Sequence, residues 1–452
     1  MVRTLAPTTI VFLVACQCGK PAPELPRDAA EDSHSFCAWD QPDTCRLPVK
    51  AGVVRWKWRV PDTVDPPGPL ALDRKGRVFM ATPRVLYALA GNDGKVLWSL
   101  PSDIPLSEYR EGYRYSAPVV GPSGNLFLVM DDGAVRSYDP DGKKRWETAL
   151  SGPYSPMDMF WRMAARPVIS TKGVLYVAAC NSKVQAFDSA SGKKLWEHVM
   201  PSRPSDGLAD PVLVGDLLLV PLRWPPRLVA LAVDTGKERW ATDLSQYPFT
   251  LDELAVDRDL AVVNVMFRTV GIRVTDGSKL WTRYTSDEDA IIRPMVAPDG
   301  RILAMHAHIA TKEQPYTSSV VSLTRDGKTA FDVAVLARDL LFDRFGPLGA
   351  DGSLYVWLRH AVKPESVYPN RLVAFSVHDR SSTTVANVPP PTTNTSVLLP
   401  DGTLVFGTTS YENGTTGEPW VYAVQTQSAG LARGGWPRSG HDNQSSGDVA
   451  TP

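Results

Sequence analysis

The sequence is short of several things, and each shortage closes a possibility. Only five of its 452 residues are cysteine and no two of those are neighbours, so a ring disulfide between adjacent cysteines is excluded. The net charge is −1, which leaves no basic field for a nucleic acid. Beyond residue 15 no apolar run approaches the roughly 20 residues that a bilayer-spanning helix needs. Long stretches without helix breakers are scarce, because 39 prolines and 33 glycines are scattered along the chain. That favours many short strands and turns over long helices. Length alone suggests about three domains, but a repeat array would override that expectation, so repeats are the first thing to seek.

The N-terminus holds the one short apolar run. Arg3 precedes Thr9–Ala15, which leads to Cys16. The stretch is too brief to span a membrane and has the proportions of a signal peptide. Leu13–Cys16 (LVAC) resembles the lipobox of bacterial lipoproteins. That resemblance implies cleavage after residue 15 and a diacylglyceryl anchor on Cys16. The alternatives are an ordinary signal peptide, or a chance apolar start with a free cysteine. Gln17 is not aspartate, which under the enterobacterial sorting habit favours the outer membrane. Residues 16–52 are rich in proline, alanine and charge and form an expected disordered tether. Within it Cys37 and Cys45 (FCAWDQPDTC) are close enough to pair in an exported protein. Closing that loop would contribute about 2–3 kcal/mol. Two unpaired thiols are the alternative. Cys180 ends an apolar strand-like run and is expected as a small buried hydrophobe.

The rest of the chain repeats. AGNDGKVLW, DPDGKKRW, DSASGKKLW, VDTGKERW, VTDGSKLW and LTRDGKTAF recur every 40–50 residues. They place Trp98, Trp146, Trp196, Trp240, Trp281 and Phe331 at equivalent positions. Each turn follows three short apolar strands, and Asp-Gly or Ser-Gly turns between alternating strands signal hairpins. Four antiparallel strands per period describe a β-propeller blade. Eight units follow: 68–100, 117–150, 166–200, 209–244, 251–285, 293–335, 345–388 and 395–427. The last lacks a fourth strand, and Val53–Asp62 (VVRWKWRVPD) is an orphan strand that can close the ring. The expected fold is therefore all-β, an eight-bladed propeller closed by an N-terminal strand. It occupies 53–447, with a tail of 448–452. In each turn glycine permits a positive φ, and the aromatic on the outermost strand can cover the join to the next blade.

The turn pattern [DS]-x-[TS]-G-K-x-x-W resembles the PQQ-like repeat, named for the quinoprotein alcohol dehydrogenases and shared by the non-enzymatic BamB family of outer-membrane assembly lipoproteins. The tail Gly434–Gly447 resembles the W-P-x-x-x-H-D motif flanking such propellers. The resemblance implies the fold and leaves function open among three classes. The quinoprotein class calls for an adjacent Cys-Cys pair, acidic and amide ligands for Ca²⁺ and a catalytic aspartate, and no such signature is present. The expectation is a non-catalytic propeller with no cofactor, no metal and no catalytic residue. It would serve as a monomeric, lipid-anchored scaffold that binds envelope proteins in outer-membrane protein assembly. A quinone-dependent oxidoreductase and a surface lipoprotein for carbohydrate or small ligands are the alternatives. The resemblance also implies weaker joins where VTDGSK and VHDRSSTTVANV depart from the pattern.

Two constellations are candidate sites. Arg166, Asp210, Asp252, Glu253, Arg293 and Arg344 stand near the expected starts of the innermost strands. They can ring the channel mouth, either as a polar ligand pocket or as mutually paired ions. Three longer connections carry Tyr316, Tyr368, Tyr411 and Trp420, residue types suited to a protein interface; tolerated surface variation is the alternative. His306 and His308 share one strand face; a metal there would need further ligands from elsewhere, and a surface strand with two histidines is the expectation.

Overall fold

The computed structural model describes residues 50–61, 67–82, 84–101, 116–130, 132–151, 166–179, 182–201, 208–247, 251–265, 268–284, 289–308, 317–334, 340–360, 370–392, 395–412, 415–433 and Asp442. The chain divides into two compact units, Met1–Phe36 and Cys37–Pro452, and every described residue lies in the second. Cys16, Cys37, Cys45, Cys180, Tyr316 and Tyr368 fall outside the described residues. So do the side chains of Asp252, Glu253, His308, Arg344 and Tyr411.

Among the described residues, 32 strands form eight four-stranded antiparallel sheets. Strand β1 (Val54–Arg59) comes first in the chain and belongs to the last blade. Blade 1 is β2 (Leu70–Leu72), β3 (Arg77–Ala81), β4 (Val85–Ala90) and β5 (Val96–Pro101). Blade 2 is β6 (Val119–Val120), β7 (Leu126–Val129), β8 (Ala134–Tyr138) and β9 (Lys144–Ala149). Blade 3 is β10 (Val168–Ile169), β11 (Val174–Ala179), β12 (Lys183–Asp188) and β13 (Lys194–Val199). Blade 4 is β14 (Val212–Val214), β15 (Leu217–Leu222), β16 (Arg227–Ala232) and β17 (Glu238–Asp243). Blade 5 is β18 (Leu251–Asp257), β19 (Leu260–Val265), β20 (Arg268–Arg273) and β21 (Lys279–Tyr284). Blade 6 is β22 (Asp289–Val296), β23 (Ile302–His308), β24 (Thr317–Leu323) and β25 (Thr329–Ala334). Blade 7 is β26 (Leu340–Leu348), β27 (Ser353–His360), β28 (Arg371–Ser376) and β29 (Ser382–Asn387). Blade 8 is β30 (Val397–Leu398), β31 (Thr403–Glu412) and β32 (Thr415–Gln425), completed by β1.

Within each blade the strands run in chain order from the innermost outward, and β1 takes the outer place in blade 8 by pairing with β32, from Val54 opposite Val424 to Arg59 opposite Trp420. The middle strands are buried on both faces, as in VLYVAA of β11 and LLLVPL of β15. Alternate residues of each sheet fill the two flanking seams. In blade 8, for example, Leu404 and Phe406 pack toward blade 7, whereas Val405 packs toward blade 1.

Antiparallel order sends successive connections to opposite ends of each blade. One face collects the turns after the first and third strands. The other collects the connections after the second strand, those between blades, and the starts of the innermost strands. On this second face the connection after the second strand is short in blades 1–5, as between Val265 and Arg268. In blades 6 and 7 it runs from His308 to Thr317 and from His360 to Arg371. In blade 8 the hairpin itself lengthens, with strands of 10 and 11 residues.

Two boundaries differ from expectation. β22 starts at Asp289 and β26 at Leu340, where starts near 293 and 345 are expected. Arg293 and Arg344 therefore lie inside these strands and not at their starts. Arg293 sits with φ +58° in a register break between Ile292 and Met295. The stretches that begin these strands, DAII and LLFD, carry no apolar–polar alternation, so their pairing is invisible without the neighbouring strand.

Candidate functional site

The repeated tryptophans lie at the seams between blades. Each has its indole N–H aimed at a backbone carbonyl in the third-to-fourth-strand turn of the next blade. Trp98 donates to Pro140 O at 3.1 Å, Trp146 to Ser189 O at 3.0 Å and Trp196 to Val233 O at 2.9 Å. Trp240 donates to Val274 O at 2.9 Å and Trp281 to Arg325 O at 2.7 Å. Trp56, on the closing strand, donates to Gly91 O at 2.9 Å. Bulges create this aim. In β13, Trp196 pairs with Ala186 but Lys194 pairs with Phe187, so Leu195 is the extra residue that twists the edge strand. The turn glycine beneath each ring has two reasons to be glycine. Gly236 has φ +68°, and a Cβ there would stand 2.4 Å from the Trp196 ring.

The departures from the pattern resolve differently. The VTDGSK turn receives Trp240 as the others receive theirs, with Gly277 at φ +73° and a second bond from Thr242 Oγ1 to Gly277 O at 2.6 Å. At the next departure both partners change. Phe331, smaller than tryptophan, meets Phe375 with ring centroids 6.2 Å apart. The turn position that is glycine elsewhere is Arg380, with φ +62° and its guanidinium 5.2 Å from the centre of the Phe331 ring. The smaller ring leaves room for a side chain that tryptophan would exclude.

Of the six charged candidates, Arg166 and Asp210 come together. Arg166 N–H donates to Asp210 Oδ1 at 2.8 Å, and its guanidinium lies 3.2 Å from Oδ2. Arg166 is buried and Asp210 exposed. The pair spans the connection between blades 3 and 4 and neutralises itself there. Of the aromatic candidates only Trp420 has a described side chain. It lies in the blade 8 sheet opposite Arg59, with Lys57 Nζ 4.9 Å from its ring centre. His306 Nδ1 donates to Asp332 Oδ2 at 2.7 Å. Burial raises the Asp332 pKa, but hydrogen bonds from His306 and Ser319 outweigh it and hold the carboxyl below its usual value. Among the described residues no three His, Cys, Asp or Glu side chains gather as a metal-binding group. The sequence also has no two adjacent cysteines.

Sequence reasoning missed Trp357 in β27. It is fully buried in the seam between blades 7 and 8, 5.0 Å from Phe406 and edge-on to it. SLYVWLRH carries an inner-strand pattern, but nothing in it says which seam the indole enters.

Solved structures share the fold at low identity. The quinohemoprotein alcohol dehydrogenase from Comamonas testosteroni aligns with a TM-score of 0.58 and 12% identity, over 82% of this chain and 76% of that one. Sqt1 of Saccharomyces cerevisiae aligns with a TM-score of 0.55 and 9% identity, over 83% of this chain and all of that one (100%). In sequence, outer membrane protein assembly factor BamB of Yersinia pestis is 29% identical over 160 residues, 35% of this chain and 38% of that relative's length. Residues 23–183 and 180–429 match the profile of a PQQ-repeat family, and the chain belongs to that family, described as outer membrane protein assembly factor BamB.

Proposed function

We propose that this chain is a non-catalytic scaffold of the bacterial cell envelope, anchored through lipid on Cys16, that serves outer-membrane protein assembly. In this reading Cys37 and Cys45 form a small disulfide loop in the tether. The partner is an envelope protein held on the face that carries the long connections of blades 6–8. The observation that carries the reading is their placement. Blades 6 and 7 lengthen the connection after the second strand and blade 8 extends the strands of the same hairpin, all toward one face, and rigid blades that present long loops are a common basis for binding. Tyr316, Tyr368 and Tyr411 lie in or beside these connections, with Trp420 further down the blade 8 hairpin. Family membership and the named function of the Yersinia relative support the assembly role.

Photo-crosslinking amino acids at positions 316, 368 and 411 test the reading in intact envelopes. Crosslinks to outer-membrane assembly proteins are expected there, and none from positions 172 and 299 in turns of the opposite face. Crosslinks from the control positions alone would overturn the placement. Metabolic labelling with a clickable fatty acid tests the anchor, and Cys16→Ala is expected to abolish it. Titration of the soluble form with quinone and Ca²⁺ should give neither saturable binding nor dye reduction with alcohols or sugars.

A further inference from the structure

The seam between blades 7 and 8 contains buried polar atoms that the protein leaves unsatisfied. Trp357 is fully buried and its Nε1–H has no protein acceptor. Thr408 Oγ1 and Asn370 Oδ1 also lack partners, in residues that are 1% and 8% exposed. This contrasts with the six seam tryptophans above, every one of which donates to a carbonyl.

The register places the three residues along one seam. Trp357 pairs with Leu372 in β28, and its ring meets Phe406 of β31 across the seam. Thr408 lies two residues beyond Phe406, on the same face of β31. Asn370 lies two residues before Leu372, which also faces blade 8. Both therefore stand one step further along the seam than Trp357, on its two sides, toward the ends of β27 and β31.

We infer that this upper half of the seam is a binding site for one small hydroxylic molecule, which is a buried water in the isolated protein. The three groups suit such a ligand. Its oxygen accepts from the indole N–H, one hydrogen donates to the Asn370 amide oxygen, and the Thr408 hydroxyl supplies a third bond. Buried waters typically make about three bonds to such groups. Leaving three polar groups dry in one seam would instead carry a desolvation cost for each.

The test pairs a crystal structure with isosteric substitutions. At high resolution the protein should show one compact density peak within hydrogen-bonding distance of Trp357 Nε1. A co-purified small alcohol there would support the same site, and an empty or apolar-filled seam would overturn it. Thr408→Val keeps the shape and removes one partner. It should lower Tm by about 1–3 °C, since a bridged polar group is lost. Combined with Asn370→Leu, the loss should fall short of the sum of the two singles, because both touch one ligand. An unchanged or raised Tm for Thr408→Val, with additive effects, would mean a dry seam and sink the inference. If the variants do not fold, the density at Trp357 decides alone.

Discussion

At the seam between blades 3 and 4, the outer-strand Trp196 covers the join. It donates to Val233 O, rests on Gly236 and meets Tyr176 of its own blade at 5.8 Å. At the seam between blades 7 and 8, the outer strand β29 (STTVAN) carries no aromatic residue, and the indole comes from the second strand as Trp357. The difference has a cause in connectivity. Blade 8 takes its third strand from β32 and its fourth from β1, so no turn joins them. Where Gly236 and its turn would lie, the chain instead enters through Gly52, and a Cβ there would meet the Val385 carbonyl. The carbonyl in the place of Val233 O is that of Thr426, which accepts from Gln425 Nε2 at 3.1 Å. The aromatic mass has moved inward, where it needs no turn but loses its acceptor.

The largest effect should come from the inner of these two rings. Trp357→Ala removes a fully buried indole and is expected to cost about 3–5 kcal/mol. Trp196→Ala removes a half-buried one and should cost less, about 2–3 kcal/mol on the same reasoning. Equilibrium denaturation of both variants ranks them, and the reverse order would break the comparison. Trp196→Phe keeps most of the ring and loses the bond to Val233 O, for about 1 kcal/mol.

The join between blades 6 and 7 sharpens the point. Phe331→Trp should destabilise by about 1–3 kcal/mol, because the larger ring meets Arg380. Adding Arg380→Gly should recover most of that loss by restoring the arrangement of the other seams. Without recovery, the phenylalanine–arginine exchange is not a matched pair.

The smallest expected effect depends on pH. Hydrogen bonds from Lys183 and Ser151 lower the Glu197 pKa from 4.5 to about 2. A carboxyl depressed in the folded state contributes its stability above pH 4.5 and loses it as pH falls toward about 2. The Tm difference between the parent protein and Glu197→Gln should therefore be constant above pH 5 and shrink below 4.5. A difference that grows on acidification would reverse the assignment.

The blade count, the ring closure and the seam positions of the outer-strand aromatics were legible in the sequence. Those features rest on local rules: glycine for a positive φ, alternation for a strand, and a fixed distance from turn to tryptophan. Arg166 and Asp210 were also within reach, since equivalent positions in successive blades must be neighbours. Other features are not local. The early starts of β22 and β26 depend on partner strands, and Trp357 depends on which seam its side of the sheet faces. Arg380 adopts a glycine conformation with no composition cue, and its reason lies in Phe331 on the neighbouring blade.

The pairing of β1 with β32 also sets an order of events. The first strand to be synthesised must wait for the last hairpin before it has a partner, so the ring cannot close while the chain is still emerging. Assembly of the eighth blade is then a search by the last hairpin for a strand made long before it.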